Sequence, residues 1–97
     1  DISKLNKYEI VFKIQLLSSK KPIYMAPVNF AGIEDVEEYK EGLKYKYISG
    51  STNDYDYARD VLLSSFKRKG FENAIIVAFC QGEKIPVNSA LAILKEK

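Results

Sequence analysis

Two short segments hold the side chains best suited to binding chemistry. In Ile10-Val11-Phe12-Lys13-Ile14-Gln15-Leu16-Leu17, bulky apolar residues alternate with Lys13 and Gln15. In Leu43-Lys44-Tyr45-Lys46-Tyr47-Ile48-Ser49-Gly50, Lys44 and Lys46 alternate with tyrosines. Successive side chains of a strand point to opposite faces. Phe12, Ile14, Leu16, Tyr45 and Tyr47 are therefore expected in a core. Lys13, Gln15, Lys44 and Lys46 are expected on an open, hydrated face. The Gln15 amide donates and accepts together, which suits a hydroxyl-rich or N-acetylated ligand. A slip of one residue would exchange the faces and turn the two tyrosines into an exposed aromatic platform.

Much other chemistry is excluded or unsupported. The chain has no His, which removes the commonest general base, the commonest metal ligand and every His-containing triad. The single Cys80 forms neither an internal disulfide nor a Cys-rich zinc site; at the end of an apolar run it reads as a part-buried thiol. Glu34, Asp35, Glu37, Glu38 and Glu41 lack calcium-loop spacing and read as a solvated acidic edge. No carboxylate pair stands out as a glycosidase pair, and no phosphate loop or nucleophile elbow is present. A binding module without metal or cofactor is expected.

The elements that position these residues follow from the pattern. The 97 residues, 46% apolar and 29% charged with a net charge of +2, suit one domain with one modest core. The charge is too low for a basic nucleic-acid footprint, and no apolar run spans a membrane. Residues 1–8 read as a frayed polar lead-in. After strand 10–17, Pro22 and Pro27 argue against a regular helix in 18–35. Val36 to Glu41 reads as a short charged strand, and Glu41-Gly42 as a tight turn into the next strand. Ser51-Thr52-Asn53-Asp54 offers helix caps, and Tyr55, Ala58, Val61, Leu62, Ser65 and Phe66 share one helical face. Acids near its start, Lys67-Arg68-Lys69 near its end and Gly70 complete the helix. Asn73–Cys80 reads as a strand, Gln81-Gly82-Glu83 as a turn, and a last short helix follows Asn88. The expected class is α+β: a ferredoxin-like four-stranded antiparallel sheet with helix 54–69 on one face, an irregular first crossover and a short C-terminal helix. The expected core unites Phe12, Ile14, Tyr45, Tyr47, Leu62, Phe66 and Val77.

Val11-Phe12-Lys13-Ile14-Gln15-Leu16 resembles the opening strand of SPOR domains. Tyr45-Lys46-Tyr47-Ile48-Ser49-Gly50 resembles their third strand, and the helix with Ala58 and Leu62, then Gly70-Phe71 and Asn73-Ala74-Ile75-Ile76-Val77, resembles the rest of the second repeat. The resemblance covers residues 10–80 and leaves 81–97 as a C-terminal extension of a single domain. Within the family the chain is similar to a divergent segment at the C-terminus of some Gram-negative N-acetylmuramoyl-L-alanine amidases. It departs from the family where Leu17-Ser18 and a loop with two prolines replace a Gly and a regular helix.

The resemblance implies a noncatalytic, monomeric module that binds peptidoglycan glycan strands in the periplasm or cell envelope, with any amidase domain elsewhere in a longer protein. Lys13, Gln15, Ser18, Lys44, Lys46 and Ile48 become the expected glycan-binding residues. The alternatives are a ferredoxin-like single-stranded RNA binder, which would stack bases on outward aromatics amid basic charge, and a protein-interaction domain using the apolar fourth strand. Nucleic acid is disfavoured by the Lys and Gln at the outward positions.

Overall fold

A computed structural model describes residues 10–95; the expected lead-in over 1–8 lies outside them. Strands β1 (Ile10–Ser19), β2 (Glu37–Glu41), β3 (Lys44–Thr52), β4 (Ile75–Cys80) and β5 (Glu83–Ile85) form one sheet in the order β2-β3-β1-β4-β5. Every neighbouring pair is antiparallel. The sheet thus has five strands where four were expected. The fifth is a three-residue strand that continues the Gln81-Gly82 turn back along β4.

Helix α1 covers residues 55–68. It begins and ends as α-helix, at Tyr55–Tyr57 and Ser64–Arg68, and widens to a π-helix at Ala58–Leu63. Of the four candidate caps, Asp54 takes the role: its carboxylate accepts from the Asp56 and Tyr57 amides at 2.9 and 3.3 Å, satisfying donors that a helix start leaves unpaired. Helix α2 (Val87–Lys95) follows Pro86 and buries Ala90. Residues 20–36 hold only a 3-10 turn at Pro27–Phe30, as the prolines require. This loop sends Phe30, Ile23, Ile33 and Val36 into the core in place of a helix.

Helices and loop share one side of the sheet. There, one cluster joins Ile10, Phe12, Ala78 and Cys80 to Ala58 and α2. A second joins Ile14, Leu16 and Tyr47 to Phe30, Phe66 and Ala74, with Tyr45 and Leu62 half-buried against it. Tyr55, read onto the inward helical face, sits edge-on to Phe12 at 5.4 Å. Val77 is buried too, but it pairs with Lys13 in the ladder and so shares the opposite face. The expected single core with Phe12 is therefore split by the sheet. Alternation holds along β4: Ile76, Ala78 and Cys80 face the helices, and Val77 and Phe79 the other side.

The register between β1 and β3 shifts twice, once between Phe12 and Ile14 and once between Gln15 and Leu17. The second shift puts an extra residue on β1. Leu16 and the adjacent Leu17 consequently both reach the helix-side cluster, as a β-bulge permits. The first puts the extra residue on β3, at Gly50-Ser51.

Candidate functional site

The face opposite the helices is concave. Neighbouring strands lie about 4.8 Å apart, so β2 and β5, four spacings apart in the strand order, would be separated by roughly 19 Å in a flat sheet. Yet Lys84 Nζ on β5 donates to Glu41 Oε1 and Oε2 on β2 at 2.9 and 3.1 Å. Tyr39 on β2 meets Phe79 on β4 edge-on, with ring centroids 6.0 Å apart. The sheet is curled into a half-barrel, and side chains from its two walls meet over its floor.

This curl changes the character of the expected open face. Lys13, Gln15, Lys46 and Ile48 do share it, as alternation requires. However, Gln15 is only 9% exposed and Ile48 only 4%. Gln15 lies on the floor, where its Oε1 accepts from the Tyr39 hydroxyl at 3.3 Å. Lys46 is mostly covered, with Nζ 3.8 Å from Glu41 Oε1. Ser18 and Lys44 are exposed and lie toward the end of the face where β1 stops and the β2–β3 hairpin turns. Neither lines the groove described next. The open, hydrated sheet is corrected to a covered one, because β2 and β5 fold over a face that a strand pattern alone describes as free.

An accessible groove lies at the other end of the face. One part, of about 490 Å³, is lined by Lys13, Asp35, Val36, Glu37, Gly50 and Ser51. An adjoining depression of about 300 Å³ is lined by Val11, Lys13, Ser51, Phe79 and Gly82. Lys13 and Ser51 belong to both. The bulge in β3 places Ser51 there. Gly50 takes φ +77°, and a Cβ on it would stand 3.3 Å from Phe66 and 3.4 Å from Leu62. The side without a Cβ thus faces the helix, and the next residue is turned toward Lys13. Bulges commonly re-aim side chains beside functional sites.

Lys13 is held at this junction. Its Nζ donates to Glu37 Oε1 at 2.7 Å and lies 5.6 Å from the centre of the Phe79 ring, within cation–π range. The acidic run is likewise more engaged than a solvated edge. Asp35 Oδ1 accepts from Ser49 Oγ at 2.9 Å, and Glu38 Oε2 accepts from the Tyr47 hydroxyl at 2.7 Å. The Tyr47 oxygen also accepts from the Ile23 amide at 2.6 Å. Burial is the largest influence pushing the Tyr47 phenol above its ordinary range, with the Glu38 carboxylate adding to it. At Lys84, burial of the ammonium opposes protonation most strongly. The Glu41 carboxylate and the Tyr39 phenol together outweigh it, so its pKa is raised.

Phe79, Ser51 and Glu37 thus line the groove with Lys13, and Tyr39 and Lys84 close the face beside it, although the strand pattern did not select them. The only signal for Phe79 was its place in the apolar run Asn73–Cys80, two residues from Val77 and so on the same face. Among the described residues, no group of His, Cys, Asp and Glu is arranged to hold a metal ion. The groove can offer a hydroxyl, an ammonium, a carboxylate and an aromatic ring to one ligand. No protein-family model matches the chain, and neither a curated protein nor a solved structure matches it.

Proposed function

We propose that this chain is a noncatalytic module that binds peptidoglycan glycan strands in the cell envelope, and that the strand enters along the groove at Lys13. The observation that carries the reading is the juxtaposition of Phe79 with Lys13, Glu37 and Ser51. An aromatic ring offers an apolar sugar face a surface, while flanking donors and acceptors engage hydroxyl and N-acetyl groups. In this reading the contact set moves away from Gln15 and Ile48, which support the floor, toward Lys13, Ser51, Glu37 and Phe79. Strands β1–β4 with α1 are then a ferredoxin-like core of SPOR type. The loop 20–36 stands in for its first helix, and β5 is added at the edge.

Noncatalytic action is part of the proposal. Glu37 is engaged by Lys13, and Glu41 by Lys84, whereas a glycosidase needs two carboxyl groups free to flank the scissile bond. Single-stranded RNA is the weaker reading. Lys13, Lys46 and Lys84 on the concave face already have carboxylate partners, which leaves less charge to release counterions.

The test is co-sedimentation with purified sacculi, before and after an amidase has removed the stem peptides. Pelleting should rise after treatment and change little between low and moderate salt. Failure to pellet with denuded sacculi would end the glycan reading, and a steep fall with salt would turn attention to RNA.

A further inference from the structure

The loop between β1 and β2 displays large apolar side chains outward. Tyr24 is 81% exposed, Val28 is 83% exposed, and Met25 between them is also exposed. The display is built. Ile23 and Phe30 on either side are anchored in the core. Between them, the Tyr24 carbonyl accepts from the Ala26 amide at 2.8 Å and from Asn29 Nδ2 at 2.9 Å, and the Asn29 amide donates to the Ala26 carbonyl at 2.9 Å. The turn therefore fixes which residues face in and which face out.

Lysines precede this display and lie at the same end of the sheet. Lys20 and Lys21 lead into the loop, and both are exposed. The ladder sets Ser19 opposite Tyr45, and Tyr45 opposite Lys40. Lys40, Leu43 and Lys44 therefore lie at the same end of the sheet as Lys20. Leu43, at the hairpin tip, is 87% exposed. Of the carboxylates that follow the display, Asp35 is held by Ser49 and Glu37 by Lys13, whereas Glu38 lies near Ile23 through the Tyr47 hydroxyl and Glu34 is exposed, so they offset the lysines only in part.

We propose that this end of the molecule docks on the surface of an anionic lipid bilayer, with Tyr24, Met25 and Val28 entering the interfacial layer and Lys20, Lys21 and Lys44 meeting the headgroups. Aromatic and aliphatic side chains partition into that layer, and nearby lysines add attraction to anionic lipid. Side chains more than four-fifths exposed project as tips rather than forming a patch for a flat protein partner. The docking is peripheral, since among the described residues no helix is long and apolar enough to cross a membrane. It also involves a different surface from the groove at Lys13 and stands independently of the glycan reading.

Vesicle sedimentation tests it, using the full chain with phosphatidylcholine vesicles that contain or lack phosphatidylglycerol. Binding should require phosphatidylglycerol and weaken with salt. Replacing Tyr24, Met25 and Val28 together by Ser should lower binding about tenfold or more. Lys20→Gln and Lys21→Gln should each lower it about fivefold. Because these side chains are exposed, thermal melting and sacculus pelleting should stay unchanged in all variants. Absent binding to anionic vesicles, or undiminished binding by the triple variant, overturns the proposal. So does a wild-type dimer that the triple variant abolishes, since the surface would then be covered by a second copy.

Discussion

Lys84 and Glu41 form an ion pair between the two edge strands of one sheet, with Nζ 2.9 Å from Oε1. Few side-chain pairs join opposite margins of a sheet without a closed barrel. Here the pair lies next to the Tyr39 ring, 5.7 Å from Lys84 Nζ, and so to the Tyr39–Phe79 contact that roofs the concave face.

Lys84→Gln should loosen this closure at small cost. The partners are part-exposed, so the loss should stay below about 1 kcal/mol. The pH dependence has a definite sign. The folded-state pKa of Lys84 is raised. Its contribution is therefore complete below the unfolded lysine value of about 10.4 and fades as pH rises through the higher folded value. Melts of wild type and variant should differ at pH 7 and 9 and converge in strong alkali. Convergence near neutrality would contradict the assigned direction.

Tyr47→Phe removes the oxygen that accepts from the Ile23 amide and donates to Glu38. The ring volume is kept, so cavity effects are minor. The part-buried amide loses its partner, and urea unfolding should show a loss of about 1–3 kcal/mol. Amide exchange should accelerate at Ile23. An unchanged rate there would mean that the phenol does not tie the loop to the sheet.

Gly50→Ala places a methyl group against Phe66 and Leu62 on a backbone with φ +77°. Both the left-handed conformation and the close contact oppose it, so a loss above about 1 kcal/mol is expected. Phe66→Ala relieves the contact and empties the space beneath the bulge, with an expected loss of about 3–5 kcal/mol. In the double variant the combined loss should be smaller than the sum of the two, because the added methyl group then has room. Strict additivity in denaturation would mean that the contact with Phe66 is not the source of the strain.

Lys13→Gln and Phe79→Ala are the variants that address the groove. Each should weaken pelleting with denuded sacculi, Lys13→Gln by about 1 kcal/mol or fivefold. Gln15→Ala should act mainly on stability, since its amide supports Tyr39 from the floor. If Gln15→Ala abolished binding in a fully folded protein while Lys13→Gln did nothing, the groove would be misplaced.

Local chemistry made much of this legible. The Asp54 cap, the helix face with Phe66 and the two prolines each act over a few residues, and the corresponding elements formed where those signals lie, except that Val61, expected on that face, is exposed while Leu63 packs inward. Alternation also assigned Phe12, Ile14 and Tyr47 to the helix side. The missing parts are non-local. β5 has three residues and a charged composition, so only its pairing with β4 makes it a strand. The burial of Gln15 and Ile48 depends on Tyr39 and Lys84 arriving from the sheet edges, over separations in sequence that no periodicity encodes. The π-helical turns at Ala58–Leu63 are also hidden, because the apolar spacing fits an ordinary helix almost as well.

The makeup of the outer strands bears on how copies of this protein behave when crowded. An unpaired strand edge is a template for another chain, and proteins blunt such edges with charge or brevity. β2 carries Glu37, Glu38, Lys40 and Glu41 among its five residues, and β5 has only three. A second molecule adding a strand at β2 would set its own carboxylates and ammonium against a row of the same. Growth of fibres by edge-to-edge pairing is thereby disfavoured on one margin by charge and on the other by length.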